Sequence, residues 1–261
     1  MRLARHPAVA GTFYPADPQA LKQAVAAYLA EVTAAAPPPK ALIVPHAGYR
    51  YSGPIAARAY ATLIPVCKRI TRVVLLGPAH RVAIQGLAAS RAGQFDTPLG
   101  PVSLDRAAID LALTLPQVVL SDEAHALEHS IEVQLPFLQA TLDGFHLVPL
   151  VVGDAAPGEV ARVLDVLWGG PETLILISSD LSHYLDDATA RRRDAATTLA
   201  IEQLRPQDIG PDQACGCIPV RALLEVAQRR GLEVRTLDLR HSGDTTGPRE
   251  RVVGYGAYAF Y

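Results

Sequence analysis

Cysteine is scarce here: Cys67, Cys215 and Cys217 are the only three in 261 residues. Three thiols cannot build a disulfide framework, which fits a reducing compartment. One residue separates Cys215 from Cys217, a spacing that suits neither a structural zinc knuckle nor a C-x-x-C redox pair, so a metal held by either must recruit ligands from elsewhere. An excess of one charge is lacking too. The 24 Lys and Arg against 26 Asp and Glu give a net charge of −2 and a pI near 6.4, so there is no basic footprint for nucleic acid. No apolar run reaches the roughly 18 residues that a bilayer requires. The opening Met1-Arg2-Leu3-Ala4-Arg5-His6 develops no apolar signal core. A cytoplasmic protein with neither nucleic-acid nor membrane partners is expected. Repeats, low-complexity tails and charged arms are also missing, which leaves no separate interaction module.

What is present is a core. At 49% hydrophobic the chain can fold as one domain over 1–261. Asp17 caps a first helix with Pro18 at its start and Leu21, Val25 and Leu29 on one face. A Pro-rich break over Ala34–Pro39 precedes a buried strand at Ala41–Val44 and a helix at Ile55–Leu63. A second buried strand, Arg72–Gly77, leads into irregular or hairpin structure over Ala89–Val102 and a helix from about Leu104. A helix over Glu128–Leu142 is kinked or restarted at Pro136. Strands at His146–Val152 and Thr173–Ile177 flank a helix at Glu159–Leu167. Helices at Thr189–Leu204 and Pro219–Arg230, then strands at Glu233–Leu239 and Val252–Tyr261, complete the chain. This alternation predicts an α/β fold: a mostly parallel central sheet with helices on both faces.

In open α/β sheets ligands bind beyond the carboxyl ends of the strands. Three strand ends here carry a histidine: Pro45-His46-Ala47-Gly48-Tyr49, Gly77-Pro78-Ala79-His80 and Ser178-Ser179-Asp180-Leu181-Ser182-His183. Placed alike on parallel strands, they point to one shared rim. Imidazole serves iron, copper and zinc alike, so the residue type does not fix the metal. Asp180 and His183, three apart, would face the same way on a helical turn and form an acid/base pair, unless Asp180 only caps a helix. Glu128-His129-Ser130-Ile131-Glu132 is a second polar cluster, read either as pocket lining or as a helix start with acidic residues favoured by the macrodipole. Tyr49 and Tyr51 are placed to stack on a ligand or to pack locally. His6, His125, His146 and His241 have no such context and are read as structural or exposed.

Taken in order, these segments together with Pro7–Pro15, Tyr51-Ser52-Gly53 and Cys215-Gly216 resemble the Memo family end to end, called AmmeMemoRadiSam system protein B in prokaryotes. That family is similar in fold to the LigB-like class III extradiol dioxygenases, which hold Fe(II) with two histidines and a glutamate. The resemblance implies a LigB-like dioxygenase fold, with His46 and His80 as metal ligands and Cys215 in place of the glutamate. It further implies His183 as the acid/base group beside Asp180, with His129, Glu132 and Tyr49 lining the pocket. Arg81 stands where some relatives carry a second histidine, and Cys217 matches no family position.

Iron or copper is the implied cofactor, with zinc also compatible with the ligand types. The implied role is a metal-dependent oxidoreductase acting on a small molecule, alongside AMMECR1-like and radical SAM proteins. A different class stays open: a non-catalytic scaffold that keeps the pocket for a peptide or metabolite. A third makes Cys215 a nucleophile activated by His183 or His46 without metal, and a zinc hydrolase fits the same ligands.

Overall fold

A computed structural model describes residues 3–32 and 37–261. Ala34, Ala35 and Ala36 of the Pro-rich break lie outside the described residues. After a short strand β1 (Ala4–Arg5), helix α1 (Pro18–Ala30) starts as its sequence dictates: the Asp17 side chain accepts the Ala20 N–H, and Leu21 and Val25 are buried. Strand β2 (Ala41–Val44) leads into α2 (Tyr49–Tyr60), which begins six residues before the expected Ile55 and carries Pro54 inside it. The Gly and Pro at 53 and 54 hide this first turn from propensity; burial of Tyr49 and Ser52 holds it in place.

Strand β3 (Arg72–Pro78) is followed by β4 (Leu87–Ala89) and the hairpin of β5 (Gln94–Thr97) and β6 (Gly100–Ser103), which forms a small sheet with β1. Asp105 caps α3 (Arg106–Ala112), and β7 (Val118–Leu120) precedes α4 (Asp122–Ala126). The helix expected over Glu128–Leu142 is two pieces, α5 (His129–Glu132) and α6 (Leu135–Thr141), with Pro136 in the opening turn of the second, where a missing N–H costs nothing. Next come β8 (His146–Val152), α7 (Pro157–Leu167), β9 (Thr173–Ser178), the short β10 (His183–Leu185) and α8 (Asp187–Glu202). Helix α9 (Cys217–Arg230) ends on Gly231 in the left-handed region at φ 66°, and β11 (Val234–His241), α10 (Ser242–Thr245) and β12 (Val252–Phe260) finish the fold.

The main sheet has nine strands in the order β10-β12-β2-β9-β3-β8-β4-β7, with β11 also on β12. Its centre, β2-β9-β3-β8, is parallel, as expected. Antiparallel strands flank it on both sides, where β12 meets β2 and β4 meets β8. The central strands are mostly apolar and, apart from Arg72 and His146 at the start of β3 and β8, buried along their length, because helices cover both faces. Helices α1, α2 and α6 pack together on one face, and α3, α7 and α9 on the other. Gly77 in β3 positions the site directly: a Cβ there would lie 2.6 Å from Ser130 Oγ, so only glycine lets α5 seat against this strand.

Candidate metal centre

The parallel strands β2, β9 and β3 are neighbours, and their ends coincide: Val44 pairs with Ser178, and Leu76 with Ile177. The chain therefore leaves the sheet at one rim through Pro45-His46, Ser179-Asp180 and Ala79-His80. Cys215 reaches the same rim from the loop before α9. Its N–H donates to the Asp180 carbonyl at 3.3 Å, and the Gly216 N–H donates to Ser179 Oγ at 2.9 Å. A Cβ on Gly216 would sit 2.8 Å from Ser179 Cβ, so glycine lets this loop close on β9.

One donor atom each from His46, His80 and Cys215 lie within 4.8 Å of one another, and His46 Nε2 is 3.3 Å from Cys215 Sγ. The hydrogen bonds fix which nitrogens are free. Ser178 Oγ gives its single proton to the Ser130 carbonyl at 2.6 Å, so toward His46 Nδ1, 2.9 Å away, it accepts. His46 Nδ1 therefore carries the proton, and its Nε2 lone pair faces Cys215. His80 Nδ1 meets the carboxylate of Glu128 at 2.9 Å, and the same carboxylate accepts the His80 and Ser130 N–H groups. His80 is thus also protonated at Nδ1 with Nε2 free, the arrangement by which outer carboxylates orient metal-binding histidines.

Electrostatics reinforce this division. Burial lowers His46 to about 3, helped by the nearby His80, so its ring is neutral at pH 7. Burial and His46 lower His129 to about 4. For Glu128, burial pushes upward, but hydrogen bonds from His80 and Ser130 outweigh it and hold the carboxyl at about 2. Burial, with the Asp180 carboxylate beside it, raises the Cys215 thiol to about 12. Two borderline nitrogens and one soft sulfur, deprotonated only if a cation joins them, suit iron, copper or zinc and are a poor match for magnesium or calcium.

The three donors sit on the wall of a cavity of about 930 Å³, with Asp180, His129 and His183 beside them. The His129 ring packs between neighbours, its centroid 4.7 Å from those of His80 and Phe13. His183 Nδ1 donates to the Leu181 carbonyl at 2.8 Å, which leaves Nε2 as the nitrogen able to take a proton. His183, Tyr184 and Leu185 line the cavity consecutively, which a regular strand of period two cannot do. The reason is Tyr184, at φ 59° in the left-handed region, where β10 slips register against β12. A second cavity of about 520 Å³ shares His80, Arg81 and Cys215 with the first.

A family model described as Memo-like protein matches residues 5–259. The chain belongs to the Memo family. A MEMO1 family protein of Saccharolobus solfataricus is 35% identical over 98% of this chain and 99% of its own length. A MEMO1 family protein of Aeropyrum pernix is 37% identical over 97% and 98%. Among solved structures, an uncharacterized protein from Escherichia coli K12 superposes with a TM-score of 0.54 at 16% identity, over 82% of this chain and 98% of that one, a likeness of fold alone.

In this Memo protein, His46, His80, Cys215, Asp180, His183 and His129 meet in one cavity, while two residues expected to line it do not. Tyr49 is buried beneath it, its hydroxyl donating to the Val133 carbonyl at 2.7 Å, and Tyr51 lines the cavity instead. Glu132, fully buried, turns away to accept from Arg5, from Tyr14 and from the N–H groups of Ala8 and Val9 at 2.8 and 3.0 Å. The pairing of Asp180 with His183 also needs correction. No helix forms over 179–183, and the Asp180 carboxylate accepts the His46 N–H at 2.7 Å, so it orients His46 while a carbonyl orients His183.

Ser178 and Glu128 stand in motifs read from the sequence, but their part in orienting His46 and His80 was not foreseen. Their positions at a strand end and a helix cap were visible, but not which ring nitrogen each would touch. Two further groups have metal-like spacing among the described residues. In His80, Glu128 and His129, the Glu128 oxygens already hold His80 and Ser130. In Asp187, His241 and Asp244, Arg249 and Arg191 neutralise the carboxylates. Among the described residues no helix is long and apolar enough to cross a membrane.

Proposed function

We propose that this Memo protein is a non-haem metal protein in which His46 Nε2, His80 Nε2 and Cys215 Sγ hold iron or copper for a redox reaction on a small substrate. The observation that carries the reading is the tautomer of both imidazoles: buried partners occupy each Nδ1 and leave each Nε2 free at the centre shared with Cys215. When bound, such a metal supplies one-electron chemistry and Lewis acidity. The chain's own groups do the rest. The Asp180 N–H lies 3.3 Å from Cys215 Sγ and stabilises the thiolate once its proton leaves. His183 Nε2 accepts or returns a proton at the cavity wall. Phe13, Tyr51 and Tyr255 contribute aromatic surface to the cavity wall.

A burial-raised thiol works against the reading of Cys215 as a free nucleophile, which needs a lowered pKa. Non-catalytic binding of a metabolite uses the same cavity and differs only in the absence of turnover.

Metal analysis of protein purified anaerobically without added metal tests the proposal. Near-stoichiometric iron or copper is expected, falling at least about tenfold in Cys215→Ala and in His46→Ala. A metal-free protein that refuses added Fe(II) and Cu(I) defeats it; stoichiometric zinc instead would redirect the chemistry to hydrolysis.

A further inference from the structure

The charge of the cavity wall carries information that the metal ligands do not. Arg81 and Arg193 both line it. Most arginines of this protein are matched to carboxylates: Arg5 to Glu132, Arg72 to Asp105, Arg191 to Asp244, Arg229 and Arg230 to Asp165. Among the described residues Arg81 and Arg193 have no carboxylate partner, and Arg193 donates only to the Asp212 carbonyl, at 3.3 Å. Of the two carboxylates on the wall, Asp180 is buried and committed to the His46 N–H at 2.7 Å. Neither Asp180 nor Asp212 forms an ion pair with Arg81 or Arg193, so both guanidinium groups keep N–H donors free for a ligand.

We propose that the cavity takes a small organic anion whose carboxylate or phosphate oxygens are held by Arg81 and Arg193, while its apolar body lies against Tyr51, Tyr184 and Tyr255. The proposal rests on the reading of this cavity as the substrate pocket. A planar guanidinium offers paired N–H donors that match two oxyanion oxygens, and such charge-assisted bonds are about twice as strong as neutral ones. Arg81 adjoins the ligand His80 and reaches both cavities, so an anion held there lies beside the metal centre. Arg251 stacks on the Tyr184 ring at 5.0 Å and adds positive potential behind that wall.

Calorimetric titration of the protein as purified, with benzoate, phenyl phosphate and neutral phenol as probes, tests this. At least one anion should bind, and phenol at least about tenfold more weakly. The preferred anion identifies the oxyanion. The double variant Arg81→Gln/Arg193→Gln should weaken anion binding by about 10- to 100-fold with metal content unchanged, whereas Arg191→Gln, an arginine with a carboxylate partner, should leave binding unaltered. Equal binding of phenol, binding indifferent to the two arginines, or no binding of either anion overturns the proposal. Retained metal with no anion binding condemns this inference alone, and arginine-dependent binding by a protein that takes up no metal condemns only the metal reading.

Discussion

Replacement of Glu132 by alanine is expected to destabilise this Memo protein by about 3–5 kcal/mol, the cost of stripping one partner from a buried ion pair. Glu132 is fully buried and Arg5 is 8% exposed. The carboxylate also accepts the Tyr14 hydroxyl and two backbone N–H groups, from Ala8 and Val9. Truncation leaves the buried Arg5 charge without its counter-ion, though the His125 and Glu128 carbonyls still accept from it, and leaves the buried Tyr14 hydroxyl and Val9 N–H without their acceptor. The same segment carries Phe13, whose ring packs 4.7 Å from His129, so the loss should spread to the cavity wall. Urea denaturation followed by circular dichroism measures the effect. A loss below about 1 kcal/mol, ordinary for a surface substitution, would show that the segment is not anchored through Glu132.

The second large effect is acid lability of the metal-free protein. Burial lowers His46 to about 3 and His125 and His129 to about 4 in the folded chain. In the unfolded chain each titrates near its ordinary value of about 6.5. Below that pH the unfolded state takes up protons that the folded state refuses. Stability is therefore fully present above pH ~6.5 and falls as the pH drops toward the folded values. At pH ~5 His125 alone accounts for a loss of about 2 kcal/mol, and His46 and His129, whose positive charges would repel each other, add less than their separate shifts would sum to. Glu128, held at about 2, contributes stability that is lost only at lower pH, so it does not blur this window. Denaturation midpoints between pH 7 and 5 should fall steeply, and His125→Asn, remote from the metal ligands, should flatten the slope by about one proton. Equal stability at pH 7 and pH 5 would mean that these rings are not held neutral.

How much of this could be read from the residues alone depended on how local the cause was. The short runs Ala41–Val44, Arg72–Pro78 and Thr173–Ser178 read as covered strands, and His46 and His80 follow the ends of the first two by two residues, so the rim was legible. Cys215 sits in a loop with no period to read, and only the family resemblance brought it to the rim. Glu132 reads as pocket lining or as a helix-start carboxylate, because its partner Arg5 is 127 residues away. Tyr49 and Tyr51 carry the same propensities; the turn of α2 alone decides that the first is buried and the second faces the cavity. The three-residue strands β4 and β7 have no signal of their own: β4 exists because β8 offers an edge, and β7 because β4 in turn offers one. The pairing of Asp180 with His183 assumed a helical turn; the left-handed Tyr184 and its register slip put a bent strand there instead.

The most direct test of the centre is the absorption spectrum of cobalt(II)-loaded protein, because a thiolate bound to cobalt produces an intense near-ultraviolet band that imidazole and carboxylate do not. Wild type should bind cobalt in a one-to-one ratio with that band present, and Cys215→Ser should lose the band. A wild-type protein that takes up no cobalt, or a Cys215→Ser spectrum identical to it, would contradict a centre built from His46, His80 and Cys215.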